Sequence, residues 1–503
     1  MLQPAPPWLF QRAGNAMELR RHFFSNFTVD EITNLSAVRR ELFHDAIGPA
    51  CVIVAGHGKP SQDAEVYYFT PKPLRMPSGS MELRIEPQDV SKVSQSEAAT
   101  DPLIWTILAL GGRRDVNLIR RMSHLPTLSK LKAEGKVQTR MGVIPGNEEK
   151  HLPELNDKPY FAAKQFPANV FLTLDAANVS DWGDARVHSK DSTDFEAFKN
   201  PQLLIKQSYS TKANRFRAVL VKSANPEWGV ICKETYLSVR DCSPDGRHLA
   251  PICLTYNSQF ATYFLFMTSS RLGHYITEVP TNELLQVPLP ESVSNVSSVI
   301  SFEQIDQLTR ESLDLTPADW ILIEDMLTFS LEDAIRKKPG PGRAKTARRV
   351  DASSNEPELA AYGQTLTRVL LSTFGSDKSI TFTVYQEPND DLLPVRMLTL
   401  HLDWIDRSPV TIEQIAVDGL LDQIGTFHRN ILSETVRCAT HDGLGFQRVA
   451  FLIHSRDIGP TRVRNVTIIK PDERRYWTRS QAMRDADELA SSIMRAGTKG
   501  AKR

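Results

Sequence analysis

The chain has 503 residues, 41% of them hydrophobic and 24% charged, with 60 basic residues against 60 acidic ones. That length exceeds one ordinary hydrophobic core, so about two to four domains are expected, and the even charge balance excludes a globally cationic nucleic-acid binder. Five cysteines, Cys51, Cys232, Cys242, Cys253 and Cys438, form no CxxC pair, which argues against a disulfide framework or zinc knuckle; with no basic-then-apolar leader and no run of about 18 apolar residues, a cytoplasmic protein without membrane contact is expected.

Residues 12–27 (RAGNAMELRRHFFSNF) predict a helix with Met17, Leu19, Phe23 and Phe24 among charges, followed by a short strand in TVDEITNLS and a helical turn in AVRRELF. ACVIVAG, ending toward Gly56 and Gly58, is a continuous apolar run of the kind buried on both faces, and AEVYYFTPKP is a strand stopped by Pro71 and Pro73. Two strands and a helix cannot close a core, so the segment reads as the tail of a larger sheet.

From about residue 76 the pattern changes. DPLIWTILAL predicts a helix, GGRRDVNLIRRMSHLPTLSKL a glycine turn into a basic amphipathic helix, and NVFLTL, QLLIKQSY, RFRAVLV and GVICKETYLSV short strands. LTYNSQFATYFLFMTSSRLG reads as one apolar helix with Gly273 as its C-cap, and TPADWILIEDMLTFSLEDAI as a helix opened by a Thr-Pro cap. A linker follows, with seven basic residues between Arg336 and Arg349 among Pro, Gly and Ser. Beyond it, SITFTVYQ and VRMLTLHLDW predict strands, TIEQIAVDGLLDQIGTFHRNIL a helix, RVAFLIH and RVRNVTIIK strands, and RSQAMRDADELASSIMRA a charged helix. The fold class expected is α/β and multidomain.

Three segments carry a resemblance. WLFQRAGNAMELRRHFFSNFTVDEITNLSAVRRELFHDAIGPACVIVAG resembles the end of the catalytic domain of gamma-order adenine-N6 DNA methyltransferases. In that family a Pro-Pro-aromatic motif precedes a strand with a Trp, a helix with an Arg, a further strand, and a Phe-containing hairpin before an apolar strand. LIWTILALGGRRDVNLIRRM is similar to the family's passage into its target-recognition domain, and CLTYNSQFATYFLFMTSSRLGHYITEVPTNELLQVPLPE, with Leu284 to Pro290, to its closing segment. The resemblance implies that 1–75 is the remnant of a Rossmann-like methyltransferase sheet and 76–290 a mixed α/β target-recognition domain. A helical segment (291–335), a basic linker (336–355) and a separate C-terminal α/β domain of unassigned role (356–503) complete the expected organisation.

The family's catalytic tetrapeptide is Asn, Asp or Ser, then Pro-Pro, then an aromatic residue, where this chain has Ala5-Pro6-Pro7-Trp8. If Trp8-Leu9-Phe10 align with the strand after the motif, the Pro-Pro-Trp is coincidence; otherwise it is the motif with Ala in the polar position. On either reading the acceptor for the adenine N6 amine is missing. The glycine-rich S-adenosylmethionine loop is missing as well, and HDGLGF (441–446) reads as a plain turn in the wrong domain rather than that loop. No catalytic residue and no cofactor are therefore expected for this chain alone, while S-adenosylmethionine is implied for the complete enzyme.

Binding residues are what the resemblance leaves. Phe43 matches the family's aromatic that stacks on the extruded adenine; a core Phe anchoring the hairpin is the alternative. KQSYSTKANRFRAVLVK holds five basic residues and no acid, so Lys206, Tyr209, Lys212, Arg215, Phe216 and Arg217 are DNA-contact candidates, against the alternative of a guarded edge strand. Arg113, Arg114, Arg120 and Arg121, near a helix N-terminus, are phosphate candidates or plain helix-surface charge. His401, Asp403, Asp406, His428, His441 and His454 lack ligand spacing, so no metal site is expected.

These readings converge on the DNA-binding, target-recognition half of a site-specific methyltransferase from a bacterial restriction-modification or phage-defence system. Its expected partners are double-stranded DNA and a separate catalytic half or other defence subunits. A non-catalytic assembly subunit, or a nuclease-like activity in the C-terminal domain, are the rival expectations.

Overall fold

The computed structural model describes residues 2–331, 352–402, 410–414 and 450–500, apart from 5–6, 13, 43–47, 49, 76–80, 163–165, 189, 273–277, 294–298, 300, 376–379, 387–394, 459–460 and 472, and also Asp422 and Gly425. The architecture is mixed α/β with several mixed sheets. Contacts divide the chain into two compact units: Met1–Pro71 with Val90–Pro339, and Lys72–Asp89 with Gly340–Arg503. Among the described residues no helix is long and apolar enough to cross a membrane.

The first unit opens with β1 (Leu2–Pro4), α1 (Gly14–Asn26), β2 (Phe27–Asn34), β3 (Ala50–His57), β4 (Glu65–Phe69) and β5 (Val90–Ser94). The strands form one sheet in the order β1-β3-β2-β4-β5, with β2 parallel to β4 and the other pairs antiparallel. Two expectations are corrected here. Pro7–Phe10 is a helical turn and not a strand, which aligns its carbonyls so that one guanidinium can collect them. Arg20 Nη1, on buried Arg20 of α1, donates to Trp8 O, Leu9 O and Gln11 O at 2.8, 2.9 and 2.7 Å. Strand β3 is buried only in its first half: β1 pairs with Ala50–Val52 alone, and Val54 to His57 are exposed.

The sheet is continued by helices. Phe24 stacks on Trp105 of α2 (Ile104–Leu110), with ring centroids 5.5 Å apart. The Tyr68 hydroxyl donates to Trp105 O at 3.0 Å and accepts from Asn34 Nδ2 at 2.8 Å, so it is satisfied in both directions inside the core. Helix α3 (Arg113–Met122) follows.

A second five-stranded sheet holds β6 (Val137–Met141), β7 (Thr173–Asp175), β8 (Gln202–Lys206), β9 (Ala218–Lys222) and β10 (Tyr236–Asp241) in the order β7-β9-β8-β10-β6. Every residue of the central β8 is buried. Leu204, Val219 and Tyr236 pack one face against Phe166, Phe198 and Ile231. The apolar run expected as a single helix over 254–273 is two, α4 (Leu249–Tyr256) and α5 (Gln259–Thr268). Ser258 breaks it, its Oγ accepting Ala261 N at 3.2 Å as the N-cap of α5. That helix ends at Thr268; Gly273, the expected cap, lies outside the described residues. Helices α6 (Phe302–Ser312) and α7 (Pro317–Asp325) both open with capping boxes, Ser301 with Gln304 and Thr316 with Asp319.

The second unit contains α8 (Ala352–Phe374), β11 (Ile380–Gln386), β12 (Val395–Leu402), β13 (Val410–Gln414), β14 (Ala450–Ile458), β15 (Thr461–Pro471) and α9 (Arg479–Gly500). Its sheet has the order β13-β11-β12-β15-β14. Residues of both helices, among them Leu366 and Leu489, pack with Phe382, Leu398, Leu400 and Ile468 of the sheet in one core. The helix expected from Thr411 begins instead as β13, paired in parallel with β11; the rest of that stretch and the basic linker lie outside the described residues. Pro73, expected to end a strand, lies within one: Lys72–Arg75 pairs with Met81–Arg84 as an isolated two-stranded hairpin, where a missing N–H is tolerated.

The turn from β10 into α4 rests on one carboxylate. Asp241 accepts Ser243 N at 2.8 Å, Ser243 Oγ at 2.6 Å and His248 N at 2.8 Å, and faces His248 Nδ1 at 3.0 Å. Burial opposes its charge, but these donors outweigh burial and hold the carboxyl below its ordinary value. A depressed folded pKa contributes stability that is present above the unfolded value, near 3.9, and is lost as pH falls through the folded one. Asp241→Asn is therefore expected to lower the unfolding free energy by about 1–3 kcal/mol at neutral pH. Its gap to the wild type should narrow below about pH 4; denaturant titrations at both pH values check this, and a gap that persists in acid refutes it.

Candidate nucleic-acid interface

The segment richest in predicted DNA contacts connects β8 to β9. After Lys206 the chain turns through 207–217, closed by Ser210 N donating to Arg215 O at 3.1 Å, with Asn214 at φ 52° and its Oδ1 3.2 Å from the Tyr209 hydroxyl. Tyr209 is buried edge-on against Phe216 and Phe266, with centroids at 6.2 and 5.4 Å, and burial pushes its phenol up to about 12.

The two arginines of this loop point inward. Arg215 spans Asp306 of α6, Nη1 to Oδ1 at 3.1 Å and Nη2 to Oδ2 at 3.2 Å, and its Nη1 also donates to Asn257 O at 2.9 Å. Asp306 Oδ1 accepts Gln259 N at 2.8 Å as well, and burial pushes this carboxyl up even though Arg215 opposes the shift. Arg217 donates from Nε to Asn257 Oδ1, from Nη1 to Pro167 O and from Nη2 to Asn169 O, at 3.1, 2.7 and 3.0 Å. Both guanidinium groups lie over the Phe302 ring, 4.2 and 5.3 Å from its centroid. Burial, then the neighbouring Arg215, brings Arg217 down to about 10.

These placements correct the surface reading of the loop. Lys206, Tyr209, Arg215, Phe216 and Arg217 are all buried, and the two arginines spend their donors inside the protein. Only Lys212 keeps an exposed charge. Strand alternation aligned Arg215 and Arg217 on one face; that face is the interior because Asp306 and Asn257 are there to receive them.

The basic helix α3 is neutralised in a comparable way. Arg113 donates to both Glu97 oxygens at 2.8 Å; Arg120 reaches Glu97 at 2.6 Å and Asp101 at 3.0 Å; Arg121 pairs with Asp319. Arg114 is half-buried and engaged. The helix N-terminus, expected as a phosphate seat, is closed by the chain itself: Gly112 N donates to Asp115 Oδ2 at 2.7 Å, while Asp115 Oδ1 accepts from the Tyr263 hydroxyl at 2.8 Å. A Cβ on Gly111 would stand 2.6 Å from that carboxylate, so the glycine is what admits the cap.

Sequence reasoning missed an open groove of about 450 Å³ lined by Arg140, Gly142, Asp191, Gln207, Glu234 and Thr281, among others. Arg140 Nη2 donates to Asp191 Oδ1 at 3.1 Å, and its guanidinium stacks over Phe198 at 4.9 Å, which fixes one wall. The residues come from distant segments with no shared motif, and the one cue was the excess of paired charges around 186–196. Phe43, Asp403, Asp406, His428 and the 441–446 turn lie outside the described residues. His401 is buried between Thr383 Oγ1 at 2.9 Å from Nε2 and Asn465 Oδ1 at 2.8 Å from Nδ1. Among the described residues no cluster of three His, Cys, Asp or Glu is arranged to hold a metal ion.

Searches with protein-family models and against curated proteins found no match to this chain.

The inward placement of Arg215 has a direct consequence. Asp306→Ala leaves that guanidinium buried without its carboxylate and should lower the unfolding free energy by about 3–5 kcal/mol, whereas Lys212→Ala should change it by less than about 0.5 kcal/mol. Urea unfolding of the two variants distinguishes an interior pair from a surface one, and equal effects would contradict the placement.

Proposed function

We propose that this chain is the DNA-binding, target-recognising half of a site-specific adenine-N6 DNA methyltransferase of the restriction-modification or phage-defence kind. It acts on double-stranded DNA together with a separately encoded catalytic half. Residues up to Pro71 correspond to the end of a Rossmann-like methyltransferase sheet, the β6–β10 region to the target-recognition domain, and the second unit to an additional α/β domain.

The observation that carries this reading is the order of elements over 14–57. The resemblance to gamma-order methyltransferases calls for a Trp-bearing strand, an arginine-bearing helix, a strand, and a hairpin leading to an apolar strand; α1 with Arg20, β2 and β3 follow that order, with a helical turn at Pro7–Phe10 in place of the first strand and helical turns at 36–42 where the hairpin is expected. Methyl-donor residues are not part of this chain's share. Among the described residues of the first sheet, the strand-to-helix junctions of β2 into 36–42 and of β5 into Gln95–Thr100 contain no glycine, so neither offers the backbone approach that S-adenosylmethionine requires. They do not fit the donor, and no chemical step is assigned to this chain.

One observation favours a second reading. With Arg215 and Arg217 turned inward and α3 neutralised by Glu97, Asp101 and Asp319, the unit offers less free cationic surface than its sequence suggests. An assembly subunit without a DNA role would have the same economy of charge.

Fluorescence anisotropy with a mixed-sequence duplex separates the two. Target recognition predicts binding whose log K falls with log salt by about 0.9 per phosphate contacted, and a slope smaller by about one contact in Lys212→Ala. Methyl transfer from S-adenosylmethionine to DNA should require the product of the preceding gene. Absence of any salt-dependent binding would leave the assembly role, and methylation by this chain alone would overturn the division of labour.

A further inference from the structure

The open groove beside Arg140 holds a carboxylate that the rest of the protein leaves almost unengaged. Glu234 sits in a fixed turn: its N–H donates to Val143 O at 3.0 Å, Tyr236 N donates to Lys233 O at 3.0 Å, and Val143 N to Cys232 O at 2.8 Å. Gly142 permits this closure, since a Cβ there would stand 2.1 Å from Lys233 O. The Glu234 side chain keeps 36% of its surface and lines the groove. Its Oε1 lies 3.5 Å from Lys233 Nζ, too far for a charge-assisted hydrogen bond, and its Oε2 is buried with no hydrogen-bond partner among the described residues. The Tyr160 hydroxyl, also buried without a partner, does not donate to it, although burial and then the Glu234 charge push that phenol up. The terminal torsion of a glutamate is broad and two-fold, so either oxygen can turn toward a ligand.

The neighbouring groups lack donors too. Gln207 Nε2 donates to Val279 O at 2.8 Å, which fixes the amide, and among the described residues neither its Oε1 nor the Thr281 hydroxyl accepts a hydrogen bond. The groove's other two charges hold each other: Arg140 Nη2 donates to Asp191 Oδ1 at 3.1 Å, and Asp191 Oδ2 accepts Ile144 N at 2.8 Å. What remains is a set of acceptors, one of them charged, beside Met141 and Ile144, the latter 46% exposed. An anion would meet the Glu234 charge. A divalent cation takes about six or more oxygens, more than one free carboxylate and two neutral groups supply. At about 450 Å³ the groove has room for a ligand that carries an apolar stem.

We propose that this groove binds a primary ammonium or guanidinium group on an aliphatic stem, with Glu234 as its counter-charge and Gln207 and Thr281 as further acceptors. An ammonium brings three N–H donors and a guanidinium five, which matches a site made of acceptors. The stem lies against Met141 and Ile144. The cation is either a free alkyl amine or a lysine or arginine side chain of a protein partner. The site stands on the groove alone and does not require the chain to read DNA.

Ligand-observed NMR titration of the full chain tests it with two isomeric monocations, n-butylammonium and tetramethylammonium, which share charge and carbon count and differ in their N–H donors. Wild type should bind butylammonium saturably, with a Kd of about 1–10 mM, and tetramethylammonium at least about tenfold more weakly. Glu234→Gln keeps the shape, breaks no hydrogen bond and removes the charge; it should weaken butylammonium about tenfold or more. Thr281→Val should weaken it about two- to fivefold, and Lys233→Met, which removes the competing cation, should not weaken it. No saturable binding by wild type, equal binding of the two isomers, or butylammonium binding retained in Glu234→Gln overturns the proposal. N-acetyl-lysine N-methylamide assigns the source: binding at least as tight as butylammonium marks a partner's side chain, and weaker binding marks a free amine. Failure of this site leaves the target-recognition reading where it stands, because DNA binding is measured separately.

Discussion

The bidentate pair of Arg215 and Asp306 is the constraint around which the β8–β9 loop, the α4–α5 break and α6 are arranged. Asp306 does two jobs at once: it neutralises Arg215 and accepts the first free N–H of α5 from Gln259. Asn257, at the break, gives its carbonyl to Arg215 and its side chain to Arg217 and to Ala218 O. Asn257 at the break is thus taken up by the loop, and the loop's two arginines by Asp306, Asn257 and the carbonyls of Pro167 and Asn169. A pair of this kind adds little net stability over an apolar replacement, but removing one member is severe because the other remains buried and charged. What it supplies is register: the loop can seat its arginines only if α5 begins at Gln259 and α6 presents Asp306.

That economy explains which parts were legible from sequence. Hydrophobic patterning located α1, β2, β8, β10, β11, β12 and β15, because burial of one face, or of both as in β8, imposes the pattern directly. It could not say which way a cation points. Lys206, Arg215 and Arg217 formed a basic, acid-free run, and their counter-group Asp306 lies about ninety positions downstream on another element, where no local pattern reveals it. The break at Asn257-Ser258 was written as two polar letters inside an apolar run, and only the capping geometry turns them into a helix start. Helix α8 was missed behind a linker-like stretch; its Gly363 weakens the helical signal, yet a Cβ there would stand 2.4 Å from the Phe382 ring, so packing against β11 demands what propensity penalises.

The functional side was less legible for a related reason. The proposed methyltransferase relationship rests on an order of elements, which is a property of the backbone. The binding surface depends on which charges remain after internal pairing, and pairing is tertiary. In α3, Arg113 and Arg120 are held by Glu97 and Asp101 from the segment just before it, so a helix that reads as a cationic stripe presents a mixed network instead. The open groove beside Arg140 arises from segments between 140 and 281 that share no sequence feature.

Domain boundaries show the same limit from the opposite direction. The basic linker at 336–355 marks where composition changes, but the second unit includes Lys72–Asp89, which leaves the first sheet after β4 and precedes β5. Within that unit Arg475 donates to buried Glu86 at 3.2 Å and Arg484 to Gln88 O at 2.7 Å. Pro71 and Pro73 advertise the end of a strand, and nothing in 72–89 announces that its partners lie some four hundred residues away. A fragment cut at the linker would keep the sheet and both helices yet lose the acceptors for two of its arginines, one of them the partner of a carboxylate that is itself buried. The C-terminal α/β region is therefore a discontinuous unit, and its integrity depends on a segment that the sequence assigns to the other end of the chain.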